Sequence, residues 1–212
     1  MNALIYGESG SGKTVNATRV ETKKRNLLIC TDNSSMVLRN FDRPKLDIIN
    51  VGSSDEFVAE YKKGVDSGKY DNIILDNLSD LFDMWILELA EKGINKDPRR
   101  DYLLVYQALK RLSRYSANAK VNTIFTAWSD AFELTLPTGQ TVTRLQPKLP
   151  YKVLDNVCGL MNVVGRVTSA VDKNNVRQWY YVCEASQTLY AKDQIGCRKF
   201  VFPEKIFSTE DK

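Results

Sequence analysis

Short apolar runs alternate with longer amphipathic stretches along the first two thirds of the chain. The short runs predict buried strands at 2–6, 26–32, 46–51, 70–76 and 121–127. Between them, apolar residues at helical spacing predict helices at 13–24, 54–67, 79–92 and 101–119. A polar loop at 93–100 separates the last two helices. Strands that alternate with helices indicate a mainly parallel sheet with helices on both faces.

The pattern changes after residue 130. Runs at 132–136 and 142–145 flank the turn sequence Pro137-Thr138-Gly139 and predict a β-hairpin. A short helix is predicted at 151–159, and a second antiparallel pair at 161–171 and 177–184. We expect these strands to extend the same sheet. The fold class is therefore α/β, a single domain over 1–212 with a core at 1–130 and a β-rich extension at 131–212.

Composition narrows the possible chemistry. The 212 residues are 43% hydrophobic and 26% charged, which is typical of a globular protein. The absence of histidine excludes histidine-based triads and general bases. The four cysteines form no C-x-x-C pair, so we expect no zinc site, and Cys30 and Cys183 lie in apolar runs typical of a core. We expect a reduced protein of the cytoplasm, since neither a signal peptide nor an apolar run of about 18 residues is visible.

The segment from residue 7 to residue 14 matches G-x-x-x-x-G-K-[ST], the phosphate-binding loop of nucleotide-binding proteins. It follows an apolar run and precedes a predicted helix, as the motif requires. Glycines let successive backbone N–H groups turn toward phosphate oxygens, and the start of a helix adds a positive dipole end. Lys13 would reach the β- and γ-phosphates of ATP, and Thr14 would bind Mg²⁺. The predicted nucleotide-binding residues are Gly7, Glu8, Ser9, Gly10, Ser11, Gly12, Lys13 and Thr14.

A phosphate loop needs a carboxylate beside it to hold the metal. Asp76 ends an apolar strand after the loop, which is the Walker B pattern, so we predict that Thr14 and Asp76 bind Mg²⁺. The alternative is that Asp76 only caps the following helix. Asn77, where many such enzymes carry an acid, is a poor catalytic base.

Asp32, at the end of the second strand, is the candidate for orienting the attacking water, because the carboxyl ends of parallel strands meet at one edge of a sheet. The alternative is a turn residue that stabilises the segment 33–35. Thr126 and Ser129, at the end of the fifth strand, could sense the γ-phosphate. Trp128 could belong to the core or stack on a base.

These residues resemble a RecA-type ATPase core over about residues 1–185: the phosphate loop at the start, Cys30-Thr31-Asp32, Ile74-Leu75-Asp76, the helix pair and Phe125-Thr126-Ala127. The short chain is similar to minimal RecA-like nucleotide-binding proteins of bacteriophages, some of which are single-strand annealing recombinases. The resemblance implies catalytic roles for Lys13, Asp32 and Asp76, ATP and Mg²⁺ as cofactors, and assembly into rings or filaments. If the chain is phage-encoded, its location is the host cytoplasm. RecA-type proteins usually carry Glu where Asp32 stands, and often carry Gln at the end of the strand that contains Thr126.

The resemblance also implies two loops that bind single-stranded DNA. The candidate DNA-binding residues are Lys96, Arg99, Arg100, Trp128, Arg144, Lys148 and Lys152. Basic side chains neutralise phosphates and aromatic ones such as Tyr151 stack on bases, although an ordinary solvated surface is the alternative. Lys148 or Lys152 could instead act in the nucleotide site of a neighbouring subunit. The net charge of +4 permits a nucleic-acid partner without requiring one.

Three functions are consistent with the sequence. The first is an ATP-hydrolysing protein that acts on single-stranded DNA in recombination, annealing or replication. The second is a nucleotide-dependent switch or scaffold that does not hydrolyse ATP, which the acid at position 32 and the amide at position 77 favour. The third is a small-molecule kinase, with the segment 97–101 as an arginine-rich lid.

Overall fold

A computed structural model describes residues 1–93 and 97–209 of the chain. Its strands are β1 (Asn2–Gly7), β2 (Asn26–Cys30), β3 (Leu46–Asn50), β4 (Asn72–Asp76), β5 (Asn122–Thr135), β6 (Thr141–Pro147), β7 (Val163–Val171), β8 (Arg177–Val182), β9 (Lys192–Asp193) and β10 (Phe200–Val201). Its α-helices are α1 (Lys13–Ala17), α2 (Ser54–Asp66), α3 (Leu78–Lys92), α4 (Pro98–Asn118) and α5 (Tyr151–Gly159). Two 3₁₀ helices span Asn33–Asn40 and Pro203–Lys205.

The described strands form a mixed sheet with the order β10-β8-β7-β1-β5-β4-β2-β3. Neighbouring strands from β7 to β3 in this order are parallel. The strands β8 and β10 add to the β7 edge in antiparallel orientation, and β6 pairs with the outer half of β5. The predicted fold class is confirmed: a mainly parallel sheet flanked by helices, with antiparallel strands from the C-terminal third.

The sheet separates two apolar cores. On one face, Leu4 and Tyr6 of β1 pack with residues of α2, α3, α4 and α5. On the other face, Ala3 and Ile5 pack with Ala17 of α1 and with residues of the C-terminal segment. Every residue of β1 is buried, because both faces of this central strand are covered. The central strands are therefore fixed from both sides, which holds the loops at their carboxyl ends in place.

Asparagines form a hydrogen-bonded row across the amino ends of the parallel strands. The Asn122 amide donates to Asn72 Oδ1 at 3.0 Å, and the Asn72 amide donates to Asn26 Oδ1 at 2.9 Å. Asn72 also donates to the carbonyl of Glu21, and it is 1% exposed. Each of these strands begins with its asparagine, so the row sets the register of three neighbouring strands.

We expect Asn72→Ala to lower the free energy of unfolding by about 1–3 kcal/mol, because it removes the donor to the buried Oδ1 atom of Asn26 and the acceptor of the Asn122 amide. Denaturant unfolding followed by circular dichroism measures the change. Asn118→Ala is the matched control, since Asn118 is exposed at the end of α4 and its amide donates to the Arg114 carbonyl of the same helix. Equal midpoints for the two variants would contradict the role of the row.

The first helix is shorter than the sequence pattern predicts. It ends at Ala17 rather than Lys24, and the chain then turns. The Asp71 carboxylate, which precedes β4, accepts hydrogen bonds from the Thr22 hydroxyl and from the backbone N–H groups of Lys23 and Lys24, at 2.7–2.9 Å. These groups are therefore held by a distant residue instead of a helix.

The helix α4 begins earlier than predicted. Asp97 caps it by accepting a hydrogen bond from the backbone N–H of Arg99, and Pro98 occupies the first turn, where its missing N–H costs nothing. The prediction of a loop through Arg100 was therefore wrong at its C-terminal end. No helix within 1–93 and 97–209 is both long enough and apolar enough to cross a membrane.

The fifth strand and the predicted hairpin form one continuous element. The strand β5 runs from Asn122 to Thr135, where the sequence predicted a strand, a break and a new strand. Its first half is buried between β1 and β4, whereas its second half leaves the sheet and pairs only with β6. The chain therefore does not turn near Ser129; the polar residues there lie where β5 leaves its neighbours β1 and β4. The helix α5 was predicted correctly at both ends.

Candidate active site

The phosphate loop follows β1 and opens α1, as the motif requires. Gly10 and Gly12 have positive φ angles of 74° and 80°, in the left-handed region that favours glycine. The turn of the loop is exposed at Glu8, Ser9 and Gly10. The eight predicted nucleotide-binding residues therefore form one turn at the carboxyl end of the central strand.

Lys13 is folded back onto its own loop. Its ammonium donates hydrogen bonds to the carbonyls of Gly7 at 3.0 Å and Glu8 at 2.7 Å, and the residue is only 7% exposed. Burial lowers the pKa of Lys13, although the negative charges of Asp76, Asp32 and Glu8 act in the opposite direction. The side chain is a buried cation with weak partners, which anionic phosphate oxygens would satisfy better.

Asp76, at the end of β4, accepts hydrogen bonds from three hydroxyl groups. Its Oδ2 accepts from Thr14 at 2.6 Å and from Ser34 at 2.8 Å, and its Oδ1 accepts from Thr126. The residue is 1% exposed. Burial raises the pKa of Asp76, and the hydrogen bonds from the three hydroxyls oppose this shift. The sequence predicted a shared role for Asp76 and Thr14, and the structure brings them together; Thr126, predicted to sense the γ-phosphate, instead contacts Asp76.

The contact between Thr14 and Asp76 fits a magnesium ion. Both ligands supply hard oxygen atoms, and a protein typically holds Mg²⁺ with one or two such groups while phosphates and water complete the shell. Among residues 1–93 and 97–209, no group of three or more acidic, cysteine or histidine side chains is placed to bind a metal. The two oxygen ligands, from Thr14 and Asp76, therefore suit a magnesium ion that binds together with a nucleotide.

Asp32 lies near this site but is already engaged. Its Oδ1 caps the 3₁₀ helix at Asn33–Asn40 by accepting from the backbone N–H of Ser34 at 2.8 Å. The residue is half-buried, and its charge influences both Lys13 and Asp76. The geometry is thus consistent with both predicted roles, a turn residue and a polar group beside the phosphates. Asn77 caps α3 by accepting from the backbone N–H of Asp80 at 2.8 Å.

Two serines that the sequence analysis did not select take part in this arrangement. Ser34 was assigned only to a polar turn, yet its hydroxyl binds the same oxygen of Asp76 as Thr14 does. Ser79 accepts a hydrogen bond from the backbone N–H of Trp128 at 3.0 Å and donates to the Lys148 carbonyl at 2.9 Å. The signal for Ser34 was its place four residues after the end of β2, which neighbours β4 in the sheet.

The candidate DNA-binding residues fall into separate groups. Lys148 lies over the Trp128 ring at 5.1 Å from its centroid, and Arg144 lies 4.7 Å from that of Tyr190. Lys152 is exposed on α5, near this hairpin. Arg99 and Arg100 belong to the first turn of α4 instead of a loop, and Lys96 lies outside the described residues. The hydroxyl of Ser129, proposed as a sensor, is buried without a hydrogen-bond partner among the described residues.

The fold and the site together define a RecA-like P-loop ATPase core. The chain belongs to the AAA domain family, whose family model matches residues 1–195. This ATPase-type family supports nucleotide binding and ATPase activity. A search of curated proteins gave no match.

The solved structures that are similar to the chain include the following two. One is a KaiC-like protein from the hyperthermophilic archaeon Pyrococcus horikoshii OT3, with 15% identity and a TM-score of 0.49, covering 94% of this chain and 88% of that one. The other is a prototypical ATPase from the type III secretion system of pathogenic bacteria, with 15% identity and a TM-score of 0.54, covering 79% of this chain and 51% of that one. At this identity, the second structure shows a similar fold and nothing more specific.

Proposed function

We propose that this protein binds and hydrolyses Mg²⁺-ATP and acts on single-stranded DNA. The observation that carries the nucleotide part is the contact between Thr14 and Asp76 beside the buried ammonium of Lys13. A loop of backbone N–H groups, a lysine and an oxygen pair for magnesium are the parts that phosphoryl transfer requires. They lie on elements fixed by the two cores.

Each side chain has a distinct task in this proposal. Lys13 exchanges its two carbonyl partners for phosphate oxygens and offsets the negative charge that develops on them. Thr14 and Asp76 would hold a magnesium ion, which would supply positive charge to the phosphate oxygens. Asp32, or a water bound to it, orients the attacking water. Thr126 fixes the position of the Asp76 carboxylate from the neighbouring strand.

A nucleotide-dependent switch without hydrolysis is a second candidate. The observation that favours it is the capping role of Asp32, because the cap already uses one carboxylate oxygen. Tight ATP binding with negligible turnover would select this function. The segment 97–101, which the kinase hypothesis takes as a lid, begins the helix α4, so no observation favours a kinase over the other two functions.

The β5–β6 hairpin and the start of α5 support single-stranded DNA as the partner. Phe132 and Tyr151 stack with ring centroids 6.4 Å apart, and they are 42% and 75% exposed. Lys148 and Lys152 are exposed nearby. Exposed aromatic rings beside lysines are the combination that binds bases and phosphates without sequence preference. We include recombination or annealing in the proposal because of the resemblance to the bacteriophage proteins.

One strand joins the two parts of the proposed function. On β5, Thr126 binds the Asp76 carboxylate, and Trp128 follows two residues later. Trp128 and Lys148 are linked by a backbone hydrogen bond of 2.7 Å, and both contact Ser79 at the start of α3. If DNA binding moved the hairpin, the movement of Trp128 would therefore be transmitted along β5 to Thr126 and so to the Asp76 carboxylate.

We expect Tyr151→Ala to weaken binding of single-stranded DNA about tenfold, because it removes one exposed stacking ring. Fluorescence anisotropy of a labelled oligonucleotide measures the affinity, and ATP binding should stay unchanged. Phe200→Ala is the matched control, since Phe200 is 59% exposed on β10 at the end of the sheet and also packs on another ring, Tyr180. Equal losses in both variants would contradict a DNA-binding surface at the hairpin.

The proposal includes self-association into a ring or filament, as the RecA-type resemblance implies. The helices α3 and α4 leave apolar side chains exposed that such contacts could cover. Leu87 is 63% exposed, Leu103 is 54% exposed and Leu104 is 42% exposed.

A further inference from the structure

A large cleft lies directly beside the phosphate loop, on the exposed side of α1. It has a volume of about 700 Å³, and its walls include Gly12, Asn16, Trp179 and Arg43. This volume is in the range that binds small organic molecules. Gly12 belongs to both the cleft and the phosphate loop, so a molecule in the cleft would lie next to phosphates held by the loop.

Trp179 forms one wall of this cleft. Two atoms of its ring lie 3.4 Å from the position that a Cβ atom on Gly12 would take. The indole therefore packs against the loop immediately before Lys13. The residue is half-buried, so part of its ring remains accessible from the cleft. A flat apolar ring at this place is suited to stack on a nucleobase.

The cleft extends along α1 toward the amino end of the sheet. Asn26 and Leu46, the first residues of β2 and β3, line this end together with Arg43. The guanidinium of Arg43 lies 5.5 Å from the centroid of the Phe41 ring. The base would therefore occupy the other end of the cleft, beside Gly12 and Trp179.

We propose that this cleft is the nucleoside subsite, in which a purine base stacks on Trp179. This inference rests on the proposed binding of ATP at the phosphate loop. It assigns base recognition to a residue of β8 that the sequence analysis did not select. The ion pair between Arg19 and Glu204 also lines the cleft and ties the C-terminal segment to the turn that follows α1.

The first test uses the fluorescence of Trp179. The chain has three tryptophans, so replacing Trp85 and Trp128 with phenylalanine leaves Trp179 as the single reporter. We expect ATP to quench its emission, whereas inorganic tripolyphosphate, which carries the phosphates without a base, should leave it nearly unchanged. Equal quenching by both ligands, or no quenching when calorimetry shows that ATP is bound, would overturn the proposal.

The second test compares affinities by calorimetry. We expect Trp179→Leu to weaken ATP binding about tenfold and to leave tripolyphosphate binding unchanged, whereas Trp179→Phe should restore most of the ATP affinity. Trp85→Leu is the control, because Trp85 packs on α3 at the other face of the sheet. If the wild type binds neither ligand, the proposed function fails. If it binds both and Trp179→Leu binds ATP equally well, only the nucleoside subsite fails.

Discussion

Replacing Lys13 with alanine is expected to weaken ATP binding by more than about 100-fold, since charge-assisted hydrogen bonds to phosphate are worth about 1.5–3 kcal/mol each. The folded protein should tolerate the change. Within 1–93 and 97–209, the buried ammonium of Lys13 donates hydrogen bonds to two backbone carbonyls of its own loop and to no other group, and burial lowers its pKa. Removing this charge should therefore change the free energy of unfolding by less than about 1 kcal/mol.

Calorimetric titration with ATP and denaturant unfolding separate these two effects. Lys23→Ala is the control for charge, because Lys23 is exposed at the amino end of the sheet. A Lys13→Ala variant that binds ATP like the wild type would refute the assignment of the loop. A variant that unfolds would show that Lys13 is needed for the fold instead.

Replacing Asp76 with asparagine is expected to reduce Mg²⁺-dependent hydrolysis by more than about 100-fold, since a bound metal supplies several kcal/mol of transition-state stabilisation. The same change should stabilise the protein at neutral pH when neither metal nor nucleotide is present. Burial raises the pKa of Asp76 above its unfolded value, despite the three hydroxyl donors. Asparagine keeps the shape without the charge.

The free energy of unfolding of the wild type should depend on pH in a direction that the pKa of Asp76 determines. Between the unfolded pKa of Asp76 and its higher folded pKa, the native state binds more protons than the unfolded state. The free energy of unfolding therefore falls as the pH rises through this interval, and Asp76→Asn removes that loss. Chemical unfolding from pH 4 upward, in about half-unit steps, measures the difference. Asp66→Asn is the control, because Asp66 is exposed at the end of α2. Identical pH profiles for the wild type and Asp76→Asn would contradict a raised pKa for Asp76.

Local patterns were sufficient to predict most of the strands and the proximity of Thr14 to Asp76. Buried parallel strands appear as apolar runs, and their carboxyl ends must meet at one edge, so these two residues were expected on the same side of the sheet. The hydrogen bond from Thr126 to Asp76 was not predicted. The phosphate loop was visible because its backbone geometry demands glycines at fixed places.

Contacts between distant segments could not be predicted in this way. The early end of α1 depends on Asp71, which is about 50 residues away in the chain. The cleft beside Gly12 depends on Trp179, from a strand at the other end of the sequence. The long strand β5 was divided in the prediction because its outer half, paired only with β6, loses the apolar pattern of a buried strand.

The proposed link between the nucleotide site at Asp76 and the hairpin is tested by the rate of ATP hydrolysis. This rate is measured for the purified wild-type protein with Mg²⁺, in the presence and absence of single-stranded DNA. We expect turnover that DNA accelerates and that disappears in Lys13→Ala. Slow turnover that DNA does not change, with tight ATP binding intact, would contradict the link to DNA and indicate a nucleotide-dependent switch.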